Sequence, residues 1–170
     1  GVGVGVSVGT GVAVGGGATI DTAKLARLLY ENPGKKLEDF NRAFSVSKPA
    51  ELRFVAVPTT AGSGSESSIV AVYTSDSGTK QPVVSEHLLP DLAVLDSVLT
   101  DSMSPQQTFA SGLDNFTHAF ESYCSPLANP MSRSLAVTAG RLVSANLRES
   151  VANPQNQAAR ENVMIGAYYG

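Results

Sequence analysis

The stretch Gly11-Val12-Ala13-Val14-Gly15-Gly16-Gly17-Ala18-Thr19-Ile20-Asp21-Thr22-Ala23-Lys24 decides the fold. Val12-Ala13-Val14 is a short apolar run that suits a strand, and three glycines follow it. Beyond them Ile20, Ala23, Lys24, Arg27 and Leu28 recur with a period near 3.6, which predicts a helix. That helix should stop before the turn sequence Asn32-Pro33-Gly34. Strand, glycine turn and helix in that order open an α/β unit. A glycine turn there lets backbone approach a phosphate, and the helix start offers N–H groups and a positive dipole end. The usual dinucleotide fingerprint is not met, because no register places Gly at i, i+2 and i+5; a Walker A sequence is also lacking. A tight turn that needs positive φ is the competing reading of the glycines.

Outward from that stretch, Val alternates with small residues over residues 2 to 14, and for the first ten both a strand and a low-complexity segment stay open. Residues Lys35 to Lys48 are polar, with Leu37, Phe40 and Phe44 as anchors of a short helix. Phe54 to Val57 reads as a buried strand, Ser68 to Tyr73 and Pro82 to Val84 as strands around Asp76-Ser77-Gly78, and Leu92 to Leu95 as another short buried strand. From Asp96 onward the pattern is helical. Ser104-Pro105-Gln106-Gln107 is a capping box with Pro at the first helical position. Asn129-Pro130 and Asn153-Pro154 repeat the cap-then-Pro device, and Leu135, Ala139, Leu142 and Val143 form an amphipathic stripe between them. The expectation is an α/β part over residues 1–98 followed by an all-α part over residues 99–170.

Composition narrows the function. The 170 residues are 42% hydrophobic and 16% charged, which provides for a core and excludes a disordered polar tail. No apolar run reaches the length of a membrane-spanning helix. With 12 Lys and Arg against 15 Asp and Glu, the net charge of −3 leaves no basic patch for nucleic acid or an anionic membrane. The single cysteine, Cys124, allows no internal disulfide and suits the cytoplasm. It reads as a small buried residue, because no neighbouring cation would activate a thiolate. The chain starts at Gly1, reaches its first Met at 103, and stops at Tyr168-Tyr169-Gly170 inside a predicted helix, so a fragment is expected.

Two further segments carry candidate chemistry. Pro58-Thr59-Thr60-Ala61-Gly62-Ser63-Gly64-Ser65-Glu66 directly follows a predicted buried strand, where α/β sheets bind ligands; its hydroxyls suit a pyrophosphate or ribose, and a flexible Ser/Gly loop is the alternative. In the predicted helix Leu113 to Glu121, Asp114, His118 and Glu121 fall within about 60° of one another. A carboxylate and an imidazole one turn apart can grip a divalent cation. An intrahelical Asp–His hydrogen bond and a buried, satisfied His are the competing readings. Leu113, Phe116, Phe120 and Tyr123 fall elsewhere on the helix and are expected to face the core. His87, in a predicted connection, is read as a surface residue.

Together, GGGATIDTAK, PTTAGSGSE and GLDNFTHAFESY resemble the motifs of the iron-containing alcohol dehydrogenases, in order and spacing, from about Val12 to Gly170. Leu89 to Asp96, Asn129-Pro130 and Ala158-Ala159-Arg160 also fit. The resemblance implies a dehydroquinate-synthase-like fold: a partial Rossmann-like nucleotide-binding sheet followed by a helical metal-binding part. It implies NAD or NADP as cofactor, Fe²⁺ or Zn²⁺ as metal, and a small alcohol or aldehyde as substrate. Gly15, Gly16 and Gly17 would lie against the pyrophosphate with Asp21 nearby. Thr59, Thr60 and Ser63 would line the nicotinamide nucleotide site, and Val72 and Lys80 match further cofactor contacts. Asp114 and His118 match two metal ligands; apart from the resemblance, Glu121 shares their stripe and is expected to orient His118, and no residue is assigned as a general base. Ala18 departs from the family's usual Ser and Asn115 from its usual Ala, the latter with little expected effect. Two more His ligands are expected beyond Gly170, the residue that selects NAD or NADP before Gly1, and homo-oligomers for the full-length protein. A truncated chain that holds nucleotide weakly without turnover, and a lyase-type relative on the same fold, are the alternative functions.

Overall fold

The computed structural model describes residues 3–7, 9–46 and 51–170. The chain divides into two compact units, one comprising Gly1–Pro58 and Ser65–Val94, the other Thr59–Gly64 and Leu95–Gly170.

In the first unit β1 (Gly3–Ser7), β2 (Thr10–Gly15), β3 (Arg53–Pro58) and β6 (Leu92–Ala93) form a sheet in the order β1-β2-β3-β6. β1 runs antiparallel to β2, whereas β2–β3 and β3–β6 are parallel. The first segment is thus a strand, despite its glycines. The helix α1 (Gly17–Glu31) makes the crossover from β2 to β3. A separate hairpin pairs β4 (Val70–Thr74) with β5 (Lys80–Val84). The predicted helix within 35–48 is a single 3-10 turn over Leu37–Phe40; residues 47–50 lie outside the described residues.

All five residues of the α1 pattern, including Lys24 and Arg27, are buried. Ile20 and Ala23 pack on Ala13, Phe54 and Ala56 of the sheet. Leu25 and Leu28 join Phe40, Val46, Ala71, Val83 and Leu88. The two cations are accommodated by hydrogen bonds, as buried charges must be. Lys24 Nζ donates to Ser68 O at 2.7 Å and Val70 O at 2.9 Å. Arg27 donates to Leu52 O and His87 O and lies over the Phe54 ring. Asp91 Oδ2, 3.8 Å from Arg27, accepts the Phe54 N–H, and its Oδ1 accepts from Arg53. The last strand differs from expectation: β6 has two residues, and Leu92, Val94 and Leu95 are exposed, because β6 is a short edge with β3 on one side only.

The second unit packs α2 (Pro105–Cys124), α3 (Pro130–Ala152) and α4 (Gln157–Tyr169). Ser104 and Gln107 form the expected capping box on α2, and the Asn129 side chain caps α3. Asn153-Pro154 corrects its reading: it terminates α3, and Asn156 caps α4. The helices meet through small residues, among them Gly112, Ala119, Ala136, Ala139, Ala159 and Ala167. Gly112 sits so close to the Leu147 side chain that a Cβ would collide with it. This small-residue face replaces the expected one. Leu113, Phe116, Phe120 and Tyr123 are exposed instead. Cys124 is likewise exposed, not buried, at the last turn of α2. No described helix is long and apolar enough to cross a membrane.

Candidate functional site

In the first unit the glycine run joins β2 to α1. Gly16 occupies the N-cap with φ −76° and ψ 179°, and its carbonyl accepts from Thr19 N and Ile20 N. Positive φ occurs at Gly9, Gly34, Gly64 and Gly78, not in this run, so the tight-turn reading fails. Close approach explains Gly15: a Cβ there would lie 2.7 Å from Thr19 Cβ. No side chain caps the helix and no acid occupies its first turn, which leaves the positive pole for an anion.

Asp21, in the second turn of α1, has both carboxylate oxygens engaged by neighbouring segments. Its Oδ1 accepts from Ser65 Oγ at 2.6 Å, and its Oδ2 accepts from Val72 N at 3.0 Å. The carboxylate thereby ties α1 to the Ser65–Ser67 turn and to β4. Val72 and Lys80 lie on the exposed face of the hairpin, since Thr74, directly opposite Lys80, shares a face with Val72. Beneath Asp21 are two charged residues that sequence reading missed as a site feature. Burial lowers the Lys24 ammonium from its usual 10.5 to about 8, against the attraction of Asp21 and Glu66. Burial also raises the Glu66 carboxyl, against its own backbone N–H and Lys24.

In the second unit the hydroxyl-bearing loop is packed on α4 through Ala61 and on α2 through Gly62. Ala61 is buried with Val163 and Met164, and a Cβ on Gly62 would lie 2.8 Å from Ser111 O. Thr59, Thr60 and Ser63, which flank these anchors, are half-buried. Asn115, fully buried on α2, ties that helix to α4 and also nears the loop. Its Nδ2 donates to Val163 O at 2.8 Å and approaches Ala61 O at 3.5 Å. The expectation that Asn115 matters little is therefore corrected. A polar residue between Asp114 and Phe116 was the available signal, since an amide on an apolar helix face needs a partner.

One turn apart on the same helix, Asp114 Oδ1 and His118 Nε2 are 3.8 Å from each other. This is too long for a hydrogen bond. The His118 side chain is 38% exposed, so it is not a buried, satisfied histidine either. Ligands at about 2.0–2.2 Å from one ion can be at most about 4.4 Å apart, so the pair fits one divalent cation. Glu121 is exposed, and among the described residues no group of three His, Cys, Asp or Glu side chains converges. His87 is half-buried in a 3-10 turn, and its carbonyl receives Arg27. The candidate residues thus fall into two sets: Gly15, Gly16, Gly17, Asp21, Val72 and Lys80 in the first unit, and Thr59, Thr60, Ser63, Asp114 and His118 in the second.

Comparison with known proteins agrees with this arrangement of elements. The family model for iron-containing alcohol dehydrogenases matches residues 8–97, and that for the C-terminal part of the same family matches residues 108–170. Sulfoacetaldehyde reductase of Bilophila wadsworthia is 38% identical over 154 residues, which cover 90% of this chain and 39% of the relative. The alcohol dehydrogenase of Oenococcus oeni superimposes with a TM-score of 0.89 at 32% identity, over 95% of this chain and 42% of that one. The sulfoacetaldehyde reductase of Bifidobacterium kashiwanohense, solved in complex with NAD⁺, gives a TM-score of 0.82 at 34% identity, over 93% and 42%. The chain thus spans about two fifths of the length of these relatives. By sequence and by fold, the chain belongs to the iron-containing alcohol dehydrogenase family.

Proposed function

We propose that the chain supplies the cofactor-binding turns and two metal ligands of an NAD(P)-dependent, metal-dependent alcohol dehydrogenase. The carrying observation is the Asp114–His118 pair, 3.8 Å apart on a helix to which the Thr59–Ser63 loop is packed. In this assignment residues 1–98 belong to the dinucleotide-binding domain and residues 99–170 to the metal-binding domain. Gly15, Gly16 and Gly17 bind the cofactor pyrophosphate through backbone N–H groups at the start of α1. Asp21 acts by holding Val72 and Ser65 in place, beside Lys80. Thr59, Thr60 and Ser63 orient the nicotinamide half. Asp114 and His118 hold Fe²⁺ or Zn²⁺, and the bound ion supplies Lewis acidity toward the oxygen of an alcohol or aldehyde. The nicotinamide supplies the hydride acceptor or donor. His118 ligates only with its binding nitrogen deprotonated, so acid weakens the site.

The deciding experiment is an anaerobic calorimetric titration of the 170-residue chain with Fe²⁺, repeated with Zn²⁺ and with NADH present. One ion per chain, lost in Asp114→Ala and His118→Ala, is expected. Unchanged uptake in both variants defeats the assignment. Alcohol-dependent reduction of NAD⁺ or NADP⁺ then separates the dehydrogenase from a lyase-type relative. For the chain taken alone, two converging donors among the described residues favour a second reading: nucleotide binding without turnover.

A further inference from the structure

We infer, on the cofactor reading above, that Lys24 is a positioning residue for cofactor binding: with Asp21 it fastens the strand that carries Val72 to the helix whose start takes the pyrophosphate. Asp21 and Lys24 stand three residues apart on α1, about 60° from each other around the helix, so both can meet one neighbouring segment. That segment runs from Ser65 to Val72. Asp21 accepts from Ser65 Oγ at 2.6 Å and from Val72 N at 3.0 Å. Between those two points Lys24 Nζ donates to Ser68 O at 2.7 Å and to Val70 O at 2.9 Å. The backbone of β4 is arranged for this. β4 pairs with β5 on one side only. Ile69 O accepts from Ser85 N on that side, so the backbone groups of Val70 and Val72, which alternate with it, point to the other side. Pro82 stands opposite Val72 and has no N–H to offer it. A free strand edge presents a row of N–H and C=O groups that need partners. Two side chains of α1 serve that edge as a strand would: a carboxylate takes the Val72 N–H and an ammonium takes the Val70 carbonyl.

Lys24 is fully buried, so it cannot touch a dinucleotide and acts through the carbonyls it holds. Burial brings its pKa down to about 8, which still leaves it protonated at pH 7. Both of its bonds are therefore charge-assisted, roughly twice as strong as neutral ones. Glu66, buried in the Ser65–Ser67 turn, attracts the ammonium, as Asp21 does, and Arg27 repels it. Arg27 also supplies a comparison within the same helix. It is a second buried cation, three residues further along α1, but it donates to Leu52 O and His87 O. Those two segments carry none of the cofactor contacts assigned above. Loss of Arg27 loosens the anchoring of α1, whereas loss of Lys24 loosens the strand that bears Val72.

Amide hydrogen exchange at Val72, followed by NMR, and NADH affinity, followed by fluorescence, test this on the full 170-residue chain. Lys24→Met keeps the length of the side chain and removes its donors. With an unchanged far-UV spectrum, Val72 N–H should exchange at least about tenfold faster and NADH should bind at least about fivefold more weakly. Arg27→Met should lower the Tm yet leave Val72 exchange and NADH affinity within about twofold of wild type. If Lys24→Met does not fold, Lys24→Gln takes its place; its amide keeps a donor on a shorter arm, and a smaller change of the same sign is expected. Val72 exchange that is equal in wild type and the Lys24 variant overturns the proposal. Faster exchange with unchanged NADH affinity overturns it too, and so do equal losses of affinity in the Lys24 and Arg27 variants, which mark general loosening. A wild-type chain that binds no NADH overturns the cofactor assignment itself and the positioning role with it, whereas the other adverse results leave that assignment standing.

Discussion

Replacing Gly62 by Ala tests the packing of the hydroxyl loop on α2. The added Cβ would lie 2.8 Å from Ser111 O, 2.9 Å from Ser111 Cβ and 3.1 Å from Ser111 Cα. These atoms belong to the body of a helix, which cannot rotate away as a side-chain tip can, so the loop must retreat by about 0.5 Å to reach ordinary contact. Overpacking of this kind costs about 1–3 kcal/mol. For a chain of this size each kcal/mol lowers the Tm by about 2–4 °C, so a fall of about 2–12 °C is expected. Gly62 does not adopt positive φ, so the effect is steric and not conformational. Gly140→Ala is the matched control in the same unit. Its Cβ would meet nothing nearer than the Phe116 ring at 3.9 Å, and Ala is favoured over Gly in a helix interior by about 1 kcal/mol. Thermal denaturation followed at 222 nm should therefore move in opposite directions for the two variants. NADH fluorescence titration should show weaker binding in Gly62→Ala alone, because Thr60 and Ser63 move with the loop. A Gly62→Ala chain as stable as wild type would refute the close packing of loop and helix.

Asn115→Asp should cost about 3–5 kcal/mol at pH 7, because a buried carboxylate replaces the donor to Val163 O; urea midpoints check this, and part of the loss should return in acid as the carboxyl is protonated. Lys24 titrates at about 8 in the folded chain against 10.5 ordinarily, so the unfolded chain binds more protons between those values. Stability should therefore rise with pH across that window, by up to about 3 kcal/mol, relative to Lys24→Met; a difference between the two midpoints that stays flat from pH 7 to 10.5 would contradict it. Partial burial pushes the Asp91 carboxyl up, but hydrogen bonds from Arg53 and Phe54 and the charges of Arg53 and Arg27 outweigh it and hold the pKa below the ordinary value. Asp91→Asn should thus destabilise by about 1–2 kcal/mol at neutral pH. That difference should shrink as pH falls through the folded pKa, as midpoints between pH 7 and 3 would show.

Local signals were legible in the sequence, and signals that depend on distant partners were not. The start of α2 is encoded within four residues, Ser104 to Gln107, and its capping box forms as read. The α1 period is equally local and gives the buried face correctly. Why that face tolerates Lys24 is not local, since the carbonyls that receive it belong to Ser68 and Val70. The faces of α2 show the limit most clearly. An apolar stripe announces that a helix has a sticky side, but the same stripe serves a core or an open seam. The side that α2 turns inward carries Gly112, Asn115 and Ala119, whose small or polar side chains give almost no hydrophobic signal. For the site, the sequence supplied the Asp114–His118 spacing, while the packing of residues 59–64 onto that helix depends on atoms about fifty residues apart.

That packing decides how the candidate chemistry is held. Thr59, Thr60 and Ser63 flank Ala61 and Gly62, which pack on α4 and α2, so the hydroxyls and the Asp114–His118 pair lie inside one compact unit. The close approach of Gly62 to Ser111 is made by backbone and a short side chain, so little rotamer entropy is lost in maintaining it. Asn115 Oδ1 is buried without a hydrogen-bond partner, which shows the cost this amide carries to keep its Nδ2 on Val163 O. Asp21 plays the matching part in the other unit, spending both carboxylate oxygens on Ser65 and Val72. A carboxylate used this way joins α1 to two neighbouring segments. In each unit, then, the residues that would touch a ligand are carried by backbone, and the buried polar side chains beside them fix where that backbone lies.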